Sequence, residues 1–278
     1  MNDSQTNKDT NQNAIFAPRP LGRTGFMVGP LGVGSSYGVG AGAVREAFDR
    51  GVNYFYWAWS RRGGMREGLR EIGKTHREKM FVVITSLAPS EFMIRRTVHK
   101  ALAKLGMDYI DGLQFYVRKD RPLSVGWQLD AALRLKEEGK VRHICATGHH
   151  RPNFARFHQE PFMDLFHVRY NAVHRGAETE VFPHLPPKQS PDRPGVVAFT
   201  VTCWKKLINA KPDRIGGLKV PTAGDCYRFA LSHPDIDVAI TGPANDEQMR
   251  HALDAVDKGP MTPEELDWMR QVGGALYQ

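Results

Sequence analysis

Gly51-Val-Asn-Tyr-Phe-Tyr-Trp-Ala-Trp-Ser-Arg-Arg-Gly-Gly64 is the stretch from which the fold is read. An apolar, aromatic run from Tyr54 to Trp57 breaks into a polar turn that contains glycine, and a helix-like segment begins at Met65. That is the profile of a buried strand handing side chains to a loop at its C-terminal end, the end at which α/β barrels carry their chemistry. Tyr56 closes the strand and Arg61 lies in the loop, so both are candidate site residues.

Working outward, the pattern repeats. Two short apolar pieces flank Arg23-Thr24-Gly25, the mark of a hairpin turn, and 30–34 follows as a first barrel strand. Short apolar runs predict further strands over 81–85, 109–116, 142–147, 165–170, 196–201 and 236–241. Helical spacing predicts helices over 41–50, from 65 to 72, 125–138, 153–158, 177–185, 225–232, 247–255 and 264–272. A further helix starts after Ser90 as N-cap and stops at Gly106, with Phe92, Ile94, Val98, Ala101, Leu102 and Leu105 as its expected buried face. Strict alternation of strand and helix argues for a parallel sheet closed into an α/β barrel of the (β/α)8 type, with the hairpin at its N-terminus. The expected organisation is a polar tail over 1–17 and a single barrel domain over 18–278.

Composition sets the limits. A chain of 278 residues with 41% apolar side chains is long enough for one such barrel and its core. There is no apolar run of membrane-spanning length, and the start of the chain lacks the apolar middle of a signal peptide. Three cysteines without C-x-x-C spacing fit a reducing compartment, so the expected location is the cytoplasm. The formal net charge of +8 is spread in short doublets such as Arg61-Arg62 and Lys205-Lys206. With no nucleic-acid motif present, that charge is expected to serve a basic surface or an anionic small molecule, with neither nucleic acid nor membrane as partner. The oligomeric state is open.

Several ordered motifs resemble the aldo-keto reductases. They are Leu21-Gly-Arg-Thr-Gly25, Gly51-Val-Asn53, Leu105-Gly-Met-Asp-Tyr-Ile-Asp111, Leu135-Lys-Glu-Glu-Gly-Lys-Val-Arg142, Tyr170-Asn171, Ser232-His-Pro-Asp235 and Thr241-Gly-Pro-Ala-Asn-Asp-Glu-Gln248. The resemblance runs from Arg19 to about Val272. It implies carbonyl reduction with NADPH, or the reverse, by an Asp, Tyr, Lys and His at the C-terminal ends of early strands. In such a site the lysine cation lowers the tyrosine pKa so that the phenol can protonate the nascent alkoxide. Here those positions fall on Tyr56, Arg61, Ser86 and Tyr116, so all four differ. The resemblance places the nicotinamide carboxamide at Thr147, Gly148 and His167, and the stacking ring at Phe199. It places the pyrophosphate loop at 200–206, with Thr200 and Lys205, and the adenosine end at 242–248, with Gly242, Asn245 and Gln248. With two amides lost, NADP(H) binding is expected to be weaker than usual.

Each candidate has a plainer role beside the chemical one. Tyr56 and Tyr116 are acid–base phenols or space-fillers, and Arg61 is an anion contact or a solvated loop charge. One of His149 and His150 is expected at the mouth, with His149 the candidate base. Trp57, Trp59 and Trp204 form a binding wall or pack, and Cys203 is structural for want of an activating partner. No metal-ligand spacing is present. The leading expectation is an NADP(H)-linked oxidoreductase with a nonstandard site acting on a small molecule. A non-redox cyclase, lyase or isomerase on the same barrel and a catalytically silent nucleotide-binding protein both remain open.

Overall fold

The computed structural model describes residues 17–57, 63–118 and 126–277. Eight parallel strands close into a barrel: β3 (Leu31–Gly34), β4 (Tyr54–Tyr56), β5 (Phe81–Ser86), β6 (Ile110–Tyr116), β7 (Val141–Gly148), β8 (Met163–Arg169), β9 (Gly195–Phe199) and β10 (Val238–Thr241), with β10 pairing back onto β3. Around them run α1 (Ala41–Asp49), α2 (Met65–His76), α3 (Glu91–Leu105), α4 (Trp127–Glu137), α5 (Pro152–Phe157), α6 (Ala177–Glu180), α7 (Ala223–Leu231), α8 (Asp246–Asp257) and α9 (Pro263–Leu276). None of the described helices is long and apolar enough to cross a membrane.

Strand alternation sorts the side chains into two cores. The outer one joins sheet to helices through residues such as Phe55, Val82, Ile84, Leu113 and Phe166. The inner one fills the barrel with Tyr54, Phe81, Val83, Cys145, Leu165, Val197 and Val238. Its floor is the antiparallel pair β1 (Arg19–Pro20) and β2 (Met27–Val28), whose Leu21 and Val28 join the inner cluster. The hairpin fits through a close approach at Gly22, which has φ +49° and would place a Cβ only 2.1 Å from the Gly195 nitrogen. Only glycine meets both demands.

Three aspartates lock the lower strand ends. Asp111 accepts from the Val82 N–H at 2.8 Å, Asp164 from the Ile144 N–H at 3.1 Å, and Asp237 from the Val196 N–H at 2.7 Å. Each has a cation or imidazole beside it: Arg77 for Asp111, Lys136 and His143 for Asp164, and Lys188 for Asp237. Pairing of this kind is what a buried carboxylate requires.

One expectation fails in α3. Ser90 caps it, accepting from the Met93 N–H, and Gly106 ends it in the left-handed conformation. Phe92, however, is 71% exposed. The buried stripe runs Ile94, Val98, Ala101, Leu102 and Leu105, and at 3.6 residues per turn a residue two before Ile94 lies on the far side of the helix. The strand expected to reach Val201 stops at Phe199, because Thr200 turns to φ 57°.

Candidate functional site

Inward-facing side chains at the C-terminal ends of the strands build a layered polar centre. Deepest is a pair between β4 and β8: the Tyr54 hydroxyl lies 2.5 Å from His167 Nε2. Burial pulls the His167 pKa down to about 3, so its ring is neutral. Burial also raises the Tyr54 pKa well above its usual value, which keeps the phenol protonated, so the pair is a contact between two neutral groups. His167, expected at the nicotinamide, is therefore committed to the barrel interior, with its ring 5.4 Å from that of Tyr56.

One layer higher, Tyr56 joins Thr85 and Gln114. The Tyr56 hydroxyl is 2.6 Å from Thr85 Oγ1 and donates to Gln114 Oε1 at 2.9 Å, and Thr85 donates to the same oxygen at 2.7 Å. Gln114 Nε2 is buried without a hydrogen-bond partner among the described residues. Ser86, expected in this cluster, does not join it. Phe81 and Val83 on β5 face inward, so alternation gives Thr85 the inward place and sends Ser86 outward with Val82 and Ile84. The Ser86 hydroxyl instead accepts from the Ala88 N–H at 3.4 Å.

At the rim the aromatic groups spread out. Tyr116 ends β6, is 42% exposed and meets the His149 ring edge-on at 6.0 Å. The His149 ring in turn lies 6.4 Å from Phe199. His150 turns away to Asn153, with Nδ1 3.3 Å from its Oδ1, so His149 is the one of the two that faces the mouth. Burial, then the charges of Arg169 and Arg151, lower the His149 pKa. Thr147 pairs in register with Tyr116 and His167 but does not line the main cleft. Gly148 backs onto β6, where a Cβ would meet the Val117 carbonyl oxygen at 2.5 Å. Arg61 and Trp59 lie outside the described residues. Trp57 packs in the outer core, while Trp204 is 58% exposed and lines the cleft.

That cleft, about 510 Å³, opens beside the ends of β3, β9 and β10. Tyr56, Phe199, Thr200, Lys205, Gly242 and Gln248 line it together, with Tyr37, Trp204 and Tyr227. Gly242 is needed for packing, since a Cβ there would lie 2.6 Å from the Tyr37 ring. Asn245 stands off the cleft: it caps α8, accepting from the Gln248 N–H at 2.9 Å. Gln248 Oε1 accepts from the Ala244 N–H at 2.9 Å, which fixes the same turn.

The loop after β9 is the least ordinary backbone. Thr200, Cys203, Trp204 and Lys205 have φ of 57°, 52°, 52° and 71°. Consecutive left-handed L-residues cost on the order of 1–2 kcal/mol each, so the surrounding structure must enforce them. Anchors are visible: Asn171 Nδ2 donates to the Thr200 carbonyl at 2.9 Å, and Lys206 Nζ to that of Leu276 at 2.6 Å. Lys205 makes no ion pair with a described residue and lines the cleft. Beside it, Cys203 Sγ is 3.6 Å from His174 Nδ1, and burial raises the thiol pKa, in keeping with a structural role.

No protein-family model matches the chain. Among solved structures, the holo form of an aldo-keto reductase from Bacillus halodurans superposes with a TM-score of 0.75 at 19% identity, over 92% of this chain and 96% of that one. An aldo-keto reductase from Klebsiella pneumoniae in complex with NADPH gives 0.72 at 21% identity, over 91% and 94%. The same enzyme family from Klebsiella pneumoniae, in complex with NADP and acetate, gives 0.70 at 20% identity, again over 91% and 94%. The architecture is thus that of the aldo-keto reductase barrel, complete with its N-terminal hairpin. Residues the sequence reading did not single out are Tyr54, Thr85, Gln114 and Arg169. Strand alternation from Tyr56 and His167 was the signal available for two of them, Tyr54 and Arg169, and alternation from Tyr116 for Gln114.

Proposed function

We propose that the chain is an NADP(H)-linked oxidoreductase acting on a small molecule, with an active site that departs from the usual reductase tetrad. One observation carries this: Phe199, Thr200, Lys205, Gly242 and Gln248, assigned to the nucleotide by resemblance, line a single cleft that Tyr56 enters from the barrel interior. Similar folds have been solved with NADP and NADPH. The residues fit the nucleotide in kind. Phe199 offers a ring face, Lys205 offers a cation, Thr200 offers a hydroxyl, and the Gly242 turn offers a close backbone approach.

When bound, the nicotinamide supplies hydride to a carbonyl carbon or removes it from an alcohol. The carbonyl oxygen then needs a proton, and Tyr56 is the phenol that both lines the cleft and has its hydroxyl held by Thr85 and Gln114. Thr85 and Gln114 position that group and do not reach the substrate. No lysine stands beside Tyr56 at the position of Ser86, so turnover of simple aldehydes is expected to be slow. Titration with NADPH, followed by nucleotide fluorescence and calorimetry, tests the reading. Saturable binding that quenches Trp204 supports it; the absence of a signal at millimolar nucleotide overturns it.

A further inference from the structure

The end of β8 holds a charge that the nucleotide reading leaves unused. Arg169 follows His167 by two residues, so it also faces the barrel, and it pairs in register with Phe199 at the rim. Its Nε is buried without a hydrogen-bond partner, and its guanidinium makes no ion pair among the described residues. The guanidinium carbon lies 5.9 Å from the Trp204 ring.

Among the described residues, its surroundings supply no counter-charge. Burial lowers its pKa first and the Arg151 charge second, and the other groups that act on it, Cys203, Tyr277 and Tyr116, include no carboxylate. Arg151 is itself engaged by Glu180 at 2.9 Å. His149 and His174 have lowered pKa values, first from burial and then from the Arg169 and Arg151 charges, so neither imidazole adds a second positive charge. A half-buried arginine without an acidic partner is costly to keep, and its planar fork is suited to two oxygens of a carboxylate.

We propose that Arg169 is the anion-recognising residue of this mouth, and that the substrate is a small monocarboxylate with a flat, apolar body. With Arg151 paired to Glu180, the Arg169 guanidinium is left to balance one negative charge, which favours a carboxylate over a phosphate dianion. The body of the ligand is accounted for by Tyr116, Phe199 and Trp204, whose rings stand around the same opening. This names the substrate class of the site proposed above and rests on that reading for the chemistry, though not for the binding.

The test uses the full chain and three probes, benzoate, its neutral counterpart benzamide, and NADPH, each titrated by calorimetry and tryptophan fluorescence. Benzoate is expected to bind at least about tenfold more tightly than benzamide, a difference of about 1.4 kcal/mol. Arg169→Gln should abolish the preference, Arg169→Lys should keep part of it, and Arg151→Gln should leave it in place. NADPH affinity should change by no more than about threefold in Arg169→Gln, since the missing interaction belongs to the other ligand. Equal binding of benzoate and benzamide by the native protein overturns the proposal. So does a preference that survives Arg169→Gln, or a Gln variant that loses NADPH and keeps benzoate, which would assign the charge to the nucleotide pyrophosphate. Should NADPH fail to bind while the benzoate preference tracks Arg169, the oxidoreductase reading falls and the carboxylate site stands.

Discussion

The Tyr54 hydroxyl and His167 Nε2 share a hydrogen bond across 2.5 Å in the centre of the barrel, fastening β4 to a strand four places away around the sheet. The pair has a pH signature. His167 titrates at about 3 in the folded chain against about 6.5 when unfolded, so between those values the unfolded chain holds the extra proton. Its contribution to stability is complete above about pH 6.5 and is lost as the pH falls, by up to about 1.4 kcal/mol per unit. Urea midpoints at pH 7, 6 and 5 should fall steadily in the native protein and more shallowly in His167→Gln. Parallel slopes would show that His167 does not titrate this way.

Tyr56→Phe separates positioning from packing. The ring stays, and what is lost is one hydroxyl bonded to Thr85 and Gln114, at a cost of about 1–2 kcal/mol in stability. If Tyr56 delivers the proton, reduction of a carbonyl substrate by NADPH, already expected below about 1 per second for a simple aromatic aldehyde, should fall at least about tenfold further, with nucleotide affinity unchanged. An undiminished rate in the variant would move the proton source elsewhere.

Lys205 offers a trade between stability and binding. Its φ of 71° suits glycine, so Lys205→Gly should raise the unfolding free energy by roughly 0.5–1 kcal/mol, the relief of the left-handed strain exceeding the added chain entropy. The same change removes from the cleft a cation that makes no ion pair with a described residue, and should weaken NADPH by about tenfold, with a shallower dependence on salt. Thermal melts and calorimetry at two ionic strengths measure both effects. A variant that binds NADPH like the native protein would exclude Lys205 from the phosphate site.

Gly22→Ala addresses the floor of the barrel. The new methyl would need a left-handed backbone and would collide with backbone atoms of Arg193, Pro194 and Gly195. A loss of more than about 2 kcal/mol is expected, because no flexible side chain can yield there. Gly25→Ala makes a control, with φ +68° and open space around it, and should cost only the conformational strain.

Most of the barrel was legible because continuous apolar runs such as Phe81 to Ile84 and helical stripes such as Ile94 to Leu105 are direct products of burial. The site was harder to read for three physical reasons. A one-residue difference in strand register exchanges faces, which is why Thr85 and not Ser86 meets Tyr56. The loop from Thr200 to Lys205 turns left-handed without a glycine or asparagine to announce it, because tertiary contacts such as Asn171 to Thr200 impose the conformation. Arg169 looked like one more basic residue in a chain of net charge +8, and what sets it apart is its place at the barrel mouth without an ion pair among the described residues. His149 was legible, since the residues that follow a barrel strand fall at the mouth.

Leu21 and Val28 seal the lower end of the barrel, which makes the molecule a blind-ended vessel. Two ligands of the mouth would therefore share one end of the barrel. Phe199 and Arg169 stand in register there, at the same height, so two such guests would meet side by side and each would narrow the other's approach.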